Sequence, residues 1–157
     1  ALLFYMHPTW LGELPTNKGS FVTPSVQFPE LGDADDTWKI VVWCPSGCNT
    51  TCLKNVDDLA RVRLALGRRL YQVSLWLVQG DDGRMCTREE EHMLKTHDVH
   101  ARTLLARMRL NVPVLQDKAS VFLVDPKQHA VLQYQGVNVP KDVFQDLKRL
   151  LNRQEQA

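Results

Sequence analysis

The run "WKIVVW" at residues 38–43 is apolar almost throughout, rich in β-branched residues, and passes directly into a segment holding three cysteines. A run of this kind reads as a strand buried on both faces, so it requires a sheet with material packed on either side. From about Thr50 the period changes. Leu53, Val56, Ala60 and Leu64 recur at helical spacing, Leu59, Val62 and Leu66 widen the stripe, and Gly67 is placed to terminate it. "YQVSLWLV" at 71–78 then reads as a second core strand. Strand, helix, strand is the parallel crossover unit, and it fixes the centre of the fold.

The remainder completes a sheet. "GDDGRMC" is a turn, and "TREEEHMLKTH" opens on Thr87 with Glu90 three positions on, the spacing of a capping box. A second helical piece is expected at 99–109, an extended "VPVL" after it, and a hairpin formed by "SVFLVD", "DPKQ" and "HAVLQYQG". "PKDVFQDLKRLLNR" places Pro140 at a helix start, with Val143, Phe144, Leu147, Leu150 and Leu151 as its apolar face. A parallel βαβ, an antiparallel hairpin and a closing helix make an α/β chain of thioredoxin-like arrangement, with a central mixed sheet covered by helices. Residues 37–157 are assigned to this domain. Residues 1–36 are read as a loop-rich extension that holds a short strand or hairpin near "SFVTPSVQF". The opening "ALLFYM", without an initiating Met, is compatible with the end of a removed membrane anchor or with a packed terminus; it is too short to span a bilayer.

Nineteen basic and 18 acidic residues leave a formal charge of +1, with no charge block and no interleaving of aromatic with basic residues. This balance disfavours a nucleic-acid partner. No Ser/His/Asp arrangement, phosphate-binding glycine loop or paired-carboxylate signature is present.

The chemistry sits in "CPSGCNTTC". Cys44, Cys48 and Cys52 follow one another at three-residue gaps, and Cys86 stands apart in a polar loop. Clustered cysteines indicate a redox or metal site, because stapling disulfides spread their cysteines along a chain. Cys44 falls at the strand end and is expected to be an auxiliary or packed thiol. Cys48 and Cys52 fall where the loop becomes the first turn of the helix, capped by Asn49 or Thr50. Free amide groups and the helix dipole there stabilise a thiolate. Residues four apart on a regular helix have Cβ atoms roughly 5–6 Å apart. A disulfide needs about 3.5–4.5 Å, so a CxxxC pair closes only if its first member stands off the helix. Cys48–Cys52 meets that condition and is expected as the catalytic pair, with Cys48 the more exposed attacking thiolate and Cys52 the resolving thiol. Cys44–Cys48 within the loop is also possible. The gap equally suits two thiolates converging on a soft ion such as Cu(I). Cys86 is expected to be exposed and unrelated, with a resolving role left open.

"WKIVVW…CNTTC" before a helix, "SVFLVDPKQHAVLQY" and the terminal "DVFQDLKRLL" together resemble the SCO family. The similarity is closer still to small bacterial proteins that accompany oxidase assembly genes, through Asn17, Gly19 and Pro24 and through "RLALG" at Arg63 to Gly67. The resemblance runs from about Thr16 to Leu151. It implies a membrane-anchored, thioredoxin-like protein on the periplasmic face of the bacterial inner membrane. It further implies a role in cytochrome c oxidase biogenesis, with oxidase subunits or assembly factors as partners. In that family a cysteine pair and a distal His bind copper, so the resemblance implies Cys48 and Cys52 as metal ligands. The position expected for the His falls near Asp117 or Lys118, and neither is His. His92, His97 and His100 lie in a polar region and are read as solvated. His129 is read as a turn residue, His7 as part of the extension, and Pro113 as an ordinary trans proline before a strand. The alternative to redox or copper chemistry is a docking module in which the cysteine pair is a structural disulfide. A peroxidase on the same fold is disfavoured.

Overall fold

The structure is a computed structural model, and it describes residues 19–27, 36–80, 83–104, 118–136 and 138–156. Among the described residues six strands form one sheet: β1 (Ser20–Gln27), β2 (Trp38–Cys44), β3 (Val73–Gly80), β4 (Val99–Leu104), β5 (Ser120–Val124) and β6 (His129–Tyr134). Their spatial order is β1-β6-β5-β2-β3-β4. β2 pairs in parallel with β3, and β3 with β4, while β2–β5, β5–β6 and β1–β6 are antiparallel. Among the described residues three helices accompany the sheet: α1 (Thr50–Ala65), α2 (Arg88–Thr96) and α3 (Val139–Gln156). A 3-10 turn, Gly67–Gln72, leads from α1 into β3. The α/β, thioredoxin-like arrangement expected from the order of elements is therefore the observed one. Ser20–Gln27, within the segment read as an extension, adds the edge strand β1 to the same sheet.

β2 is the centre, and every one of its residues is buried. Its alternation divides the core. Trp38, Ile40, Val42 and Cys44 point into the cluster built with α1 and α3, together with Leu75, Leu77, Leu123, Leu147 and Leu151. Lys39, Val41 and Trp43 point to the other face, where Phe122 and Val78 are also fully buried. Of the stripe expected on α1, Val56, Leu59, Ala60, Val62 and Leu66 are buried, whereas Leu64 is 60% exposed; Cys52, outside the expected stripe, is buried ahead of them. The buried stripe therefore begins at Cys52. Gly67, at φ +66°, turns the chain out of the helix.

The expected helix at 99–109 is corrected over its described part: Val99–Leu104 is β4, parallel to β3. Helix α2 stops because Asp98 adopts φ +57°, a left-handed conformation that Asp tolerates better than most residues, with its N–H donating to the Lys95 carbonyl. The chain is thereby redirected along β3 after His97. Only Val99 of residues 99–101 is buried, so the strand carries no apolar alternation to announce it. The extended "VPVL", Pro113, Asp117 and His7 lie outside the described residues.

Candidate thiol–disulfide site

All four cysteines gather at the C-terminal ends of β2 and β3, where the crossover loops meet. Two disulfides join them, Cys44–Cys52 and Cys48–Cys86, with Cα separations of 6.2 Å and 5.1 Å. The expected Cys48–Cys52 pairing is therefore corrected, as is the reading of Cys86 as unrelated.

The physical reason lies in the parity of β2. Cys44 continues the series Trp38, Ile40, Val42 toward α1, and Cys52 heads the buried stripe of α1 that faces back, so these two thiols meet across the strand–helix interface. Cys48 belongs to neither element. Asn49 caps α1 with extended backbone, φ −122° and ψ 170°, and its Oδ1 accepts from the Cys52 N–H at 2.9 Å. Cys48 thus stands off the helix, as expected, but turns toward the loop after β3.

Two glycines bring that loop into reach. Gly47, at φ +83°, pairs as an isolated parallel bridge with Arg84. The Cys48 N–H donates to the Arg84 carbonyl at 2.8 Å, and the Arg84 N–H donates to the Ser46 carbonyl at 3.1 Å. A Cβ on Gly83 would lie 2.7 Å from the Gly47 Cα, and one on Gly47 would lie 2.8 Å from the Gly83 carbonyl carbon. Only a glycine pair permits this crossing, and the crossing sets Cys48 against Cys86 two residues beyond Arg84.

Access differs sharply among the sulfurs. Cys44, Cys48 and Cys52 are 1%, 0% and 2% exposed, and only Cys86 is half-buried. Cys48 is consequently not the exposed member expected from its place before the helix. Cys86 precedes Thr87, which caps α2 in the expected capping box: Oγ1 accepts from the Glu90 N–H at 3.2 Å, and the Thr87 N–H donates to Glu90 Oε1 at 2.8 Å. Glu90 Oε2 receives Arg84 Nη2 at 2.9 Å. The Arg84 guanidinium, followed by the Thr87 N–H, holds the Glu90 carboxyl below its usual 4.5. Gln79, buried and in register with Cys44 on β3, donates from Nε2 to Cys86 Sγ at 3.9 Å.

Cys48 Sγ, Cys86 Sγ and a Glu90 oxygen lie within 4.8 Å of one another. Two thiolates suit Cu(I), but Glu90 is a hard donor, and both its oxygens are already engaged. The described histidines sit elsewhere. His97 Nε2 is 3.3 Å from Asp57, His100 stacks on Trp76 with ring centroids 4.8 Å apart, and His129 Nδ1 is 3.9 Å from Asp125. His92 is exposed on α2, and Lys118 is exposed before β5. The donor set therefore fits copper in its two sulfurs and not in a third ligand.

Structural neighbours share the fold at low identity. A thiol:disulfide interchange protein from Bacteroides sp. superposes with a TM-score of 0.51 at 18% identity, covering 85% of this chain and 90% of its own. ScoI from Bradyrhizobium japonicum, solved with copper bound, gives 0.51 at 16% over 74% and 86%. BsSco, described as a Sco-family cytochrome c oxidase assembly protein with a disulfide switch, gives 0.52 at 13% over 86% and 94%. No curated protein matches the chain by sequence. Residues 38–153, from the first residue of β2 into the last turns of α3, match one family as a unit, and the chain belongs to it: the transmembrane-like, thioredoxin-like, C-terminal domain family.

Proposed function

We propose that this chain is an extracytoplasmic thiol–disulfide oxidoreductase serving cytochrome c oxidase biogenesis. The observation that carries the exchange chemistry is the pair of adjacent disulfides in which Cys86 is the one cysteine that is not fully buried. Thiolate attack requires access, and the half-buried Cys86 supplies it. Cys48 is the leaving thiolate of that exchange, and Cys52 and Cys44 form the second couple. Two disulfides in one small domain favour an oxidising compartment, in keeping with the periplasmic face of the inner membrane. Among the described residues no helix is long and apolar enough to cross a membrane. The Sco neighbours support the oxidase setting, with oxidase subunits or assembly factors as partners.

The test is the reduction potential of Cys48–Cys86 measured against a dithiol buffer. A value above about −300 mV supports exchange, and a lower value supports the alternative of a docking module with structural staples. Copper handling is the second reading, favoured by the convergence of Cys48 and Cys86 sulfurs. It predicts that the reduced protein binds Cu(I) and that Cys48→Ser does not; equal binding by the two removes it.

A further inference from the structure

We propose that Cys48 is an internal shuttle thiol, carrying reducing equivalents from the surface at Cys86 to the buried Cys44–Cys52 bond. The inference rests on the exchange reading above and extends it to all four cysteines. Both sulfurs of Cys44–Cys52 are sealed, at 1% and 2% exposure under α1, so no external thiolate reaches them in the folded chain. Cys48 is four residues from each and stands off the helix at its N-terminus, because Asn49 holds extended backbone. Gln79 connects the two couples. Its register partner is Cys44, and its side-chain amide reaches Cys86 Sγ, where it supports a thiolate once the outer bond opens.

A partner dithiol, as thiolate, attacks Cys86 Sγ; the Cys48–Cys86 bond breaks, and its electron pair leaves on Cys48. The partner's second thiol gives up its proton, displaces Cys86 and leaves as a disulfide, and Cys86 ends as a thiol. The Cys48 thiolate then attacks Cys44 Sγ, forming Cys44–Cys48 and expelling Cys52, which takes up a proton. Cys52 is the better leaving group because it sits in the first turn of α1, where amide groups and the helix dipole stabilise a thiolate. One dithiol is oxidised, and the chain gains two electrons and two protons.

The experiment treats the oxidised full chain with dithiothreitol without denaturant, quenches with acid at intervals, and locates alkylated cysteines by tandem mass spectrometry. In the wild type Cys48–Cys86 opens first and Cys44–Cys52 after it, and in Cys48→Ser the opening of Cys44–Cys52 slows about tenfold or more. Equal rates in the two, or a wild type whose Cys44–Cys52 never opens, overturn the shuttle and leave exchange at Cys86 standing. A wild type in which neither bond opens overturns the exchange reading itself. Should Cys48→Ser fail to fold, Cys86→Ser decides the question. Its single thiol is shared between Cys48 and Cys52 if the internal step occurs, and label confined to Cys48 overturns it.

Discussion

The glycine crossing at the site invites a three-way substitution experiment. Gly67 has positive φ with open space around it, Gly83 has a crowded Cβ position without positive φ, and Gly47 has both. Alanine at Gly67 meets only the left-handed penalty of about 1–2 kcal/mol, offset by about 0.4–1 kcal/mol from the stiffer unfolded chain. A destabilisation of about 1 kcal/mol, and no more than roughly 1.6 kcal/mol, is expected. Alanine at Gly83 drives the two loops apart, so the hydrogen bonds joining Cys48 to Arg84 and Arg84 to Ser46 are lost or stretched. At about 1 kcal/mol each, that change costs roughly 2 kcal/mol. Gly47→Ala combines both effects and is expected to cost about 3 kcal/mol. Urea midpoints of the three variants, with the rate at which a dithiol opens Cys48–Cys86, form the assay. Gly47→Ala and Gly83→Ala should speed that opening, and Gly67→Ala should leave it alone. If Gly83→Ala is no more destabilising than Gly67→Ala and reacts at the wild-type rate, the crossing is not what brings Cys48 to Cys86.

Other expectations follow from the same contacts. Asn49→Ala removes the cap that accepts the Cys52 N–H and should lower stability by about 1 kcal/mol in denaturant titration, while Asn49→Asp keeps it. Chain entropy gives the Cys48–Cys86 bond, 38 residues apart, about 4 kcal/mol, and Cys44–Cys52, eight apart, about 2.5 kcal/mol; double serine variants of each pair should rank in that order. Tyr134 donates to Asp146 at 2.8 Å in the interior, and burial, then the Asp146 charge, raises its phenol well above 10.0. The folded chain therefore holds that proton more tightly than the unfolded chain, so stability is complete below about pH 10 and falls as pH rises beyond it. Tyr134→Phe should abolish that alkaline slope while costing about 1–3 kcal/mol at neutral pH, read from unfolding curves between pH 7 and 11.

Much of the fold was legible because burial imposes period. The apolar run of β2, the capping box at Thr87 and Glu90, the hairpin and the closing helix all carry their patterns openly. β4 was not legible, since an edge strand with one buried residue among its first three has no alternation, and the apolar residues beyond it suggest a helix. At the site, the equal CxxxC gaps drew attention to Cys48 and Cys52 as a pair. The decisive signal was weaker but present: Cys44 shares the parity of Ile40 and Val42, and Cys52 shares the stripe of Val56 and Leu59. Once those two are joined, Cys48 and Cys86 remain. What no local pattern in the sequence conveys is the Gly47–Gly83 approach, because it depends on two loops that meet only in the folded sheet.

The most direct test of this account is the connectivity of the native oxidised protein by tryptic mapping. Residues 40–54 hold three cysteines on one peptide, and residues 85–88 hold the fourth. The two peptides are expected to be linked through Cys48 and Cys86, with Cys44 bonded to Cys52 inside the longer one. A Cys48–Cys52 bond with Cys86 free in the oxidised chain would contradict it.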